Sequence, residues 1–449
     1  MGYQWLRDAV AIAVEALSWM ELEGLSERLA FTKTTRQLGI RNTDSMRAAF
    51  PLVLETVRAL NLIDRIATSF LSRDTFEDLD LGKRNFLRVF IWWTVLRRSS
   101  REDSVALLEA ARHVLGWKEL RELEFVFGKV LAFNLGRFLQ NTQDPERTAL
   151  STLNRTWFVS YCYRTFGRDF ALKYLKATLT APPTYIRINV SENGQQSLIR
   201  KMEEERVRLG AVEGLNGLFQ VLNSQKPLTL TEAYKLGLFS IQDKSSYLST
   251  LVAEPKKGEM VLDMCAAPGG KTSHVATMTG DEATIYSIDL SRRRMSVWKK
   301  EMRRCKVSCA TPIIADGRQE LPIDRSFDLV LVDPPCTNSG AFGKTPSMKW
   351  QMTPDTFRRL CHIQSNMLCV TAQAVKPGGR LVYSTCSITP EENELQIEQL
   401  MRLNPEFKLE RQVPFVGHGG MRGLDKCQRL YPHLDGCNGY FIALLRKED

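Results

Sequence analysis

The sequence predicts an α/β chain in three parts: an all-helical region over residues 1–150, a small α/β subdomain over 151–250, and a doubly wound parallel-sheet domain over 251–449. Three observations carry this. No proline occurs between Pro51 and Pro145, and apolar residues there recur at helical spacing. Short β-rich runs then appear near residue 185. From about 251 the rhythm is strand, turn, helix, repeated.

In the first part, Leu107, Leu108, Ala111, Val114 and Leu115 lie on one helical face, and Phe86, Val89, Phe90 and Trp93 on another. Gly82, Gly116 and Gly136 fit helix ends. The aromatic residues Phe90, Trp92, Trp93, Phe125 and Phe127 are expected in the core. In the second part, Tyr185-IRINV, Leu218-FQVL and Leu238-FSIQ read as strands, and Gln196–Gly210 as a helix. In the third, Met260-VLDM, Thr284-IYSIDL, Thr311-PIIAD, Phe327-DLVLVD and Gly379-RLVYST are apolar strand candidates. Between them lie the helical patterns Arg292–Cys305 and Asp355–Val375. Apolar strands alternating with helices make parallel sheets, whose ligands sit beyond the carboxyl ends of the strands.

Composition narrows the class. The 449 residues are 43% hydrophobic and 25% charged, as in an ordinary globular protein. The most apolar stretch, Val89–Leu96, is far shorter than the ~20 residues that span a bilayer. Arg7, Asp8 and Glu15 interrupt what would be a signal-peptide core. A soluble cytoplasmic protein is expected, with no membrane partner. Lys and Arg number 61 against 51 Asp and Glu. Residues 1–150 hold 21 basic and 20 acidic side chains, and residues 151–449 hold 40 and 31. Any attraction for a polyanion therefore lies mostly outside the first third. Of the ten cysteines only Cys162 precedes residue 265. No CxxC pair occurs, and no His cluster accompanies Cys305 and Cys309, so neither a disulfide scaffold nor a metal site is expected.

The strand ends carry the chemistry. The first runs into Asp263-Met-Cys265-Ala266-Ala267-Pro268-Gly269-Gly270-Lys271-Thr. Small residues and two glycines there let backbone approach a ligand closely. A phosphate-binding P-loop needs glycine where Cys265 stands, and the dinucleotide fingerprint GxGxxG is absent. Asp289 ends the next strand, about twenty residues beyond Gly270, where a carboxylate can hold a ribose diol. Asp316 ends the third, placed for an adenine amino group. The pattern points to a nucleoside-type cofactor. The fourth strand gives Asp333-Pro-Pro-Cys336 and the fifth Thr385-Cys386-Ser. Cys336 and Cys386 at strand ends should open into the cleft, whereas Cys265, Cys361 and Cys369 are expected as small apolar filler.

Two thiols suit one reaction in particular. Carbon 5 of cytosine is too weak a nucleophile to take a methyl group unaided. A thiolate adding to carbon 6 makes an enamine, and carbon 5 can then attack an electrophilic methyl donor. Asp333 suits ring nitrogen 3, and a second polar group suits the elimination that frees the base.

At these residues the sequence resembles the Sun/Nop (RsmB-type) family of RNA cytosine-C5 methyltransferases over residues 150–449. DMCAAPGGKTSH, DPPC and STCS occur in family order, followed by Pro390-Glu-Glu-Asn-Glu394 and by Arg429-LYPHLDG with Tyr440-FIA. The resemblance implies a Rossmann-like fold that uses S-adenosylmethionine. Cys265 through Lys271 would wrap its methionine end, Asp289 would hold its ribose and Asp316 its adenine edge. Asp333 would lie beside the methyl donor and the target base. Cys386 matches the family's nucleophile and Cys336 the cysteine that aids product release; the residues alone leave open which thiol attacks. In Thr337–Pro346 only Gly340 and Lys344 keep the family pattern. Residues 151–250 look like the family's RNA-handling subdomain, and residues 1–150 are similar to its NusB-like domain. The implied substrate is RNA, with small-subunit ribosomal RNA foremost and transfer RNA the alternative, acted on by a monomer. A ribosome-assembly factor that only binds RNA is the rival from another class.

Overall fold

The computed structural model describes residues 4–448 apart from 191 and 324. The chain forms two compact units: one runs to Thr180 and also takes in Thr345–Gln351, and the other holds Ala181–Lys344 and Met352–Asp449. Among the described residues no helix is long and apolar enough to cross a membrane.

The first unit is helical. Helices Gln4–Glu23, Thr43–Arg58, Leu81–Ile91 and Arg101–Leu115 bury Ala9, Ala13, Val53, Phe86, Phe90 and Leu107 in one core. Phe127 meets Phe90 edge-on at 5.0 Å. Of the aromatics expected inside, Phe125 is instead exposed, with the Lys129 ammonium 4.3 Å from its ring centre. Asn42 and Ser100 cap two of the helices through their side chains, and Gly116, at φ +96°, closes the fourth. The helical unit does not stop at residue 150. Helices Thr156–Phe166 and Arg168–Ala177 continue it and bury Phe158, Tyr161 and Tyr174. The proline-free stretch beyond Pro145 lasts to Pro182, and the change of architecture falls there. The segment Thr345–Gln351 is also embedded in this unit. Trp350 Nε1 donates to the Val57 carbonyl at 2.6 Å, Ser347 N donates to Glu27, and Arg155 donates to the carbonyls of Lys349 and Trp350.

The second unit opens with four strands, β1 (Tyr185–Ile188), β2 (Val207–Ala211), β3 (Leu218–Ser224) and β4 (Phe239–Ile241). They form an antiparallel sheet in the order β2-β3-β1-β4. The helix expected over Gln196–Gly210 ends at Glu204, because Arg206 turns the chain at φ +59° and the apolar Val207–Ala211 becomes β2.

The larger sheet contains β5 (Met260–Met264), β6 (Thr284–Asp289), β7 (Ala310–Ile314), β8 (Phe327–Val332), β9 (Val375–Thr385), β10 (Phe407–Glu410), β11 (His418–Gly419), β12 (Gln428–Leu430) and β13 (Tyr440–Lys447). Strands β7, β6, β5, β8 and β9 are parallel, and all five were legible as apolar runs. The sheet is not parallel throughout. β13 lies antiparallel against β9, with Leu444 opposite Val382, and β12 and β10 pair with it antiparallel. Only the four-residue helix Pro432–Asp435 lies between β12 and β13, so the strand–helix alternation that marks parallel strands could not reveal them.

Candidate active site

The sheet order places the carboxyl ends of β5, β6 and β7 side by side. A cavity of about 290 Å³ opens there, walled among others by Met264, Cys265, Asp289, Asp316, Gly317 and Met367. After β5 the chain turns through Cys265 at φ +62° and Gly269 at φ +113°, then enters the helix Gly270–Met278. A Cβ at Gly269 would stand 2.7 Å from Met302 Cε, and one at Gly317 would run into Met264 Cε. Gly269 is therefore required by its backbone conformation, whereas the methionine tips beside both glycines can swing aside. Cys265 packs against the core, as expected of a small apolar filler, and also forms a wall of the cavity; burial pushes its thiol up to about 12.

Asp289 is buried and accepts from Ser291 N at 2.9 Å and Ala267 N at 3.3 Å. Arg294 stands 3.3 Å from the same carboxylate and also donates to the Ala267 carbonyl. Asp316 reaches the cavity, but both its oxygens accept from the Arg318 guanidinium, at 2.6–3.1 Å, which holds the carboxyl below its ordinary range. An adenine amino group would share that carboxylate with Arg318.

Asp333, beyond β8, forms a 2.5 Å ion pair with Lys271 of the glycine turn. Burial pulls the Lys271 ammonium down, but Asp333 and the Tyr440 phenol outweigh it and raise it. Lys271 therefore acts through its side chain as well as its backbone, and it holds the Asp333 side chain in place. Asp263, at the end of β5, accepts from Thr272 Oγ1 at 2.6 Å; burial pushes its carboxyl up to about 6 against that bond.

The two strand-end thiols do meet. Cys336 Sγ and Cys386 Sγ are 3.2 Å apart, and Cys386 donates to Asn338 Oδ1 at 2.8 Å. The contact with Cys386, together with burial, raises the Cys336 thiol well above its ordinary range. Cys336 thus keeps its proton at neutral pH and can donate to the neighbouring sulfur.

A buried carboxylate holds both thiol-bearing turns. Glu392 accepts from Thr337 N (2.8 Å) and Thr337 Oγ1 (2.6 Å), from Ser387 Oγ (2.5 Å) and Thr389 Oγ1 (2.9 Å), and from Gln364 Nε2 (2.9 Å). Thr337 follows Cys336 and Ser387 follows Cys386, so one side chain ties the two turns together. Asn393 donates to the Ser387 carbonyl and accepts from Thr385. Glu394 pairs with Arg429, both fully buried, and Arg429 also donates to the Ile388 carbonyl. The acidic run after Cys386 is therefore structural support for the thiols. The roles of Glu392, Asn338 and Arg294 were not foreseen. The PEENE run was visible, but the donors that give Glu392 its meaning come from up to 55 residues away.

A glycine turn, a carboxylate after β6 and paired thiols beyond β8 and β9 define a nucleoside-cofactor enzyme of the methyltransferase class. The family profile described as "16S rRNA methyltransferase RsmB/F" matches residues 250–446. The chain is 31% identical over 318 residues to the "Probable ribosomal RNA small subunit methyltransferase B" of Bacillus subtilis, covering 68% of this chain and 69% of that protein. It is 34% identical over 220 residues to the tRNA (cytosine(72)-C(5))-methyltransferase of Pyrococcus horikoshii, covering 49% of this chain and 55% of that one. The crystal structure of PH0851 superposes with a TM-score of 0.86 at 25% identity, over 98% of this chain and 99% of that one, helical unit included. The chain belongs to the RsmB/RsmF family of RNA cytosine-C5 methyltransferases.

The cofactor of this family is S-adenosylmethionine, and the cavity suits it. Its wall combines apolar Met264, Ile288 and Met367 with the buried carboxylate of Asp289 and the bare backbone of Gly317.

Proposed function

We propose that this protein methylates carbon 5 of a cytosine in small-subunit ribosomal RNA through a covalent Cys386 adduct. The observation that carries this is the 3.2 Å pairing of Cys336 and Cys386 beyond the Asp333–Lys271 ion pair. The glycine turn from Cys265 through Ala266, Ala267, Pro268, Gly269, Gly270 and Lys271 holds the cofactor's methionine end, Asp289 its ribose and Asp316 its adenine edge. When bound, the cofactor supplies an electrophilic methyl group.

As the Cys386 sulfur adds to carbon 6, the thiol proton passes to ring nitrogen 3, and carbon 5 becomes the nucleophilic end of an enamine. Asp333, held by Lys271, accepts a hydrogen bond from nitrogen 3 so protonated and orients the ring, and nitrogen 3 gives that proton back when the adduct breaks. After methylation a base removes the carbon 5 proton. That electron pair restores the ring double bond as the carbon 6–sulfur bond breaks. The Cys336 thiol is the hydrogen-bond donor that receives the departing Cys386 sulfur. RNA bases are reached this way only when unstacked or flipped out. The helical unit and the small antiparallel sheet handle the RNA, the former as a NusB-like domain. The protein acts as a cytoplasmic monomer.

A transfer RNA substrate is the second reading, favoured by the likeness to the Pyrococcus horikoshii enzyme. Bisulfite sequencing of cellular RNA, with and without the protein, decides between them. One ribosomal cytosine should lose protection when the protein is absent. Loss confined to transfer RNA supports the second reading, and no loss in any RNA rejects both.

A further inference from the structure

From Arg292 to Lys306 eight of fifteen residues are Lys or Arg, and one, Glu301, is acidic. This stretch therefore carries seven of the chain's ten net positive charges. The helix Arg292–Cys305 buries Met295, Trp298 and Met302 on its inner face. Two of its cations are engaged: Arg294 with Asp289, and Arg304 with Glu301 and the carbonyls of Tyr234 and Phe239. Arg292, Arg293, Lys299, Lys300 and Arg303 are exposed and form no ion pair among the described residues.

Arg303 and Arg304 suit the last turn, but the start of this arrangement is unfavourable for the helix itself. Arg292, Arg293 and Arg294 occupy its first turn, where the dipole favours anions and disfavours cations by ~0.3–1 kcal/mol each. Lys299 and Arg303 repel at four-residue spacing, and Lys300 and Arg303 at three. A row of exposed cations placed against local preference points to a polyanion that relieves it. The row spans about 17 Å from Arg292 to Arg303, at ~1.5 Å per residue. Its first turn follows directly on Asp289, at the mouth of the cofactor cavity.

We propose that the outer face of this helix is a docking surface for the phosphate backbone of the RNA that flanks the target cytosine. The proposal rests on RNA being the substrate. The test uses the full chain carrying Lys299→Ala, Lys300→Ala and Arg303→Ala together, and the RNA transcript that the wild type methylates. Binding is followed by fluorescence anisotropy over a range of salt. Each lost phosphate contact should lower the slope of log Kd against log salt by about 0.7–0.9, so the slope should fall by about two or more. Kd at low salt should rise at least about tenfold. The charge-keeping variant Lys299→Arg, Lys300→Arg, Arg303→Lys should keep the wild-type slope. An unchanged slope and Kd in an alanine variant with wild-type thermal midpoint overturns the proposal, as does equal weakening by the charge-keeping variant. If the wild type methylates no RNA at all, it is the substrate reading that fails instead.

Discussion

Removing the Glu392 carboxylate would leave five donors from Thr337, Ser387, Thr389 and Gln364 without their shared acceptor. Each such loss in a buried site costs ~1–3 kcal/mol. Glu392→Gln is milder, since one oxygen remains, but its amide would point a donor at other donors. The expected outcome is a kcat about 10²-fold lower with little change in cofactor affinity, because the thiols shift while the glycine turn does not. Steady-state kinetics beside calorimetric titration of the cofactor checks this. Equal loss of both would place Glu392 in general stability only. The residue scale is also where sequence reading was strongest and weakest. Asp289 and Asp316 line the cavity as their strand-end places suggested, whereas Cys336, expected to open into the cleft, is buried against Cys386. Glu392 did not stand out, because a carboxylate in a PEENE run looks solvent-facing until its distant hydroxyl partners are known.

At the scale of elements, two glycines fix how the turn after Cys336 meets the start of β13. Gly439 N donates to the Gly340 carbonyl at 2.8 Å, and Gly340 N donates to the Cys386 carbonyl at 2.9 Å. A Cβ at Gly340 would run into the Gly439 carbonyl oxygen, which is backbone and cannot swing aside. Gly340→Ala should cost ~1–3 kcal/mol as overpacking and sharply reduce turnover, seen as a lower thermal midpoint and a lower kcat. An unaltered midpoint and rate would mean that the turn has slack. The five parallel strands could be read from apolar runs followed by helices. The antiparallel partners β10, β12 and β13 could not, since nothing local distinguishes their pairing. The boundary set at residue 150 rather than near Thr180 has a similar origin: the helices Thr156–Phe166 and Arg168–Ala177 carry no motif that assigns them to either neighbour.

At the scale of the whole molecule, stability should respond to pH through Lys349. Its ammonium is buried in the helical unit and, among the described residues, donates to the carbonyls of Leu153 and Thr178. Burial, with Arg58 nearby, pushes it down from 10.5 to about 7. Between those values the unfolded chain binds a proton that the folded one does not, so stability from this group rises as pH goes from about 7 to 10. The change is on the order of a few kcal/mol. Lys349→Met should flatten that rise in thermal midpoint and stabilise the fold most near pH 7. A parallel rise in both proteins would mean that Lys349 remains charged and hydrated. Lys349 follows the turn of Cys336 in sequence yet belongs to the helical unit, a long-range placement that no periodicity announces.

Transient bonding of one sulfur to a pyrimidine ring is the claim on which the mechanism stands. Cys336→Ala, incubated with its RNA and S-adenosylmethionine, should trap a protein–RNA band that survives SDS and boiling. Cys386→Ala and the double variant should give none, although Cys386→Ala still binds RNA. A band from Cys386→Ala, or normal turnover without any band from Cys336→Ala, would contradict the assignment of attack to Cys386 and release to Cys336.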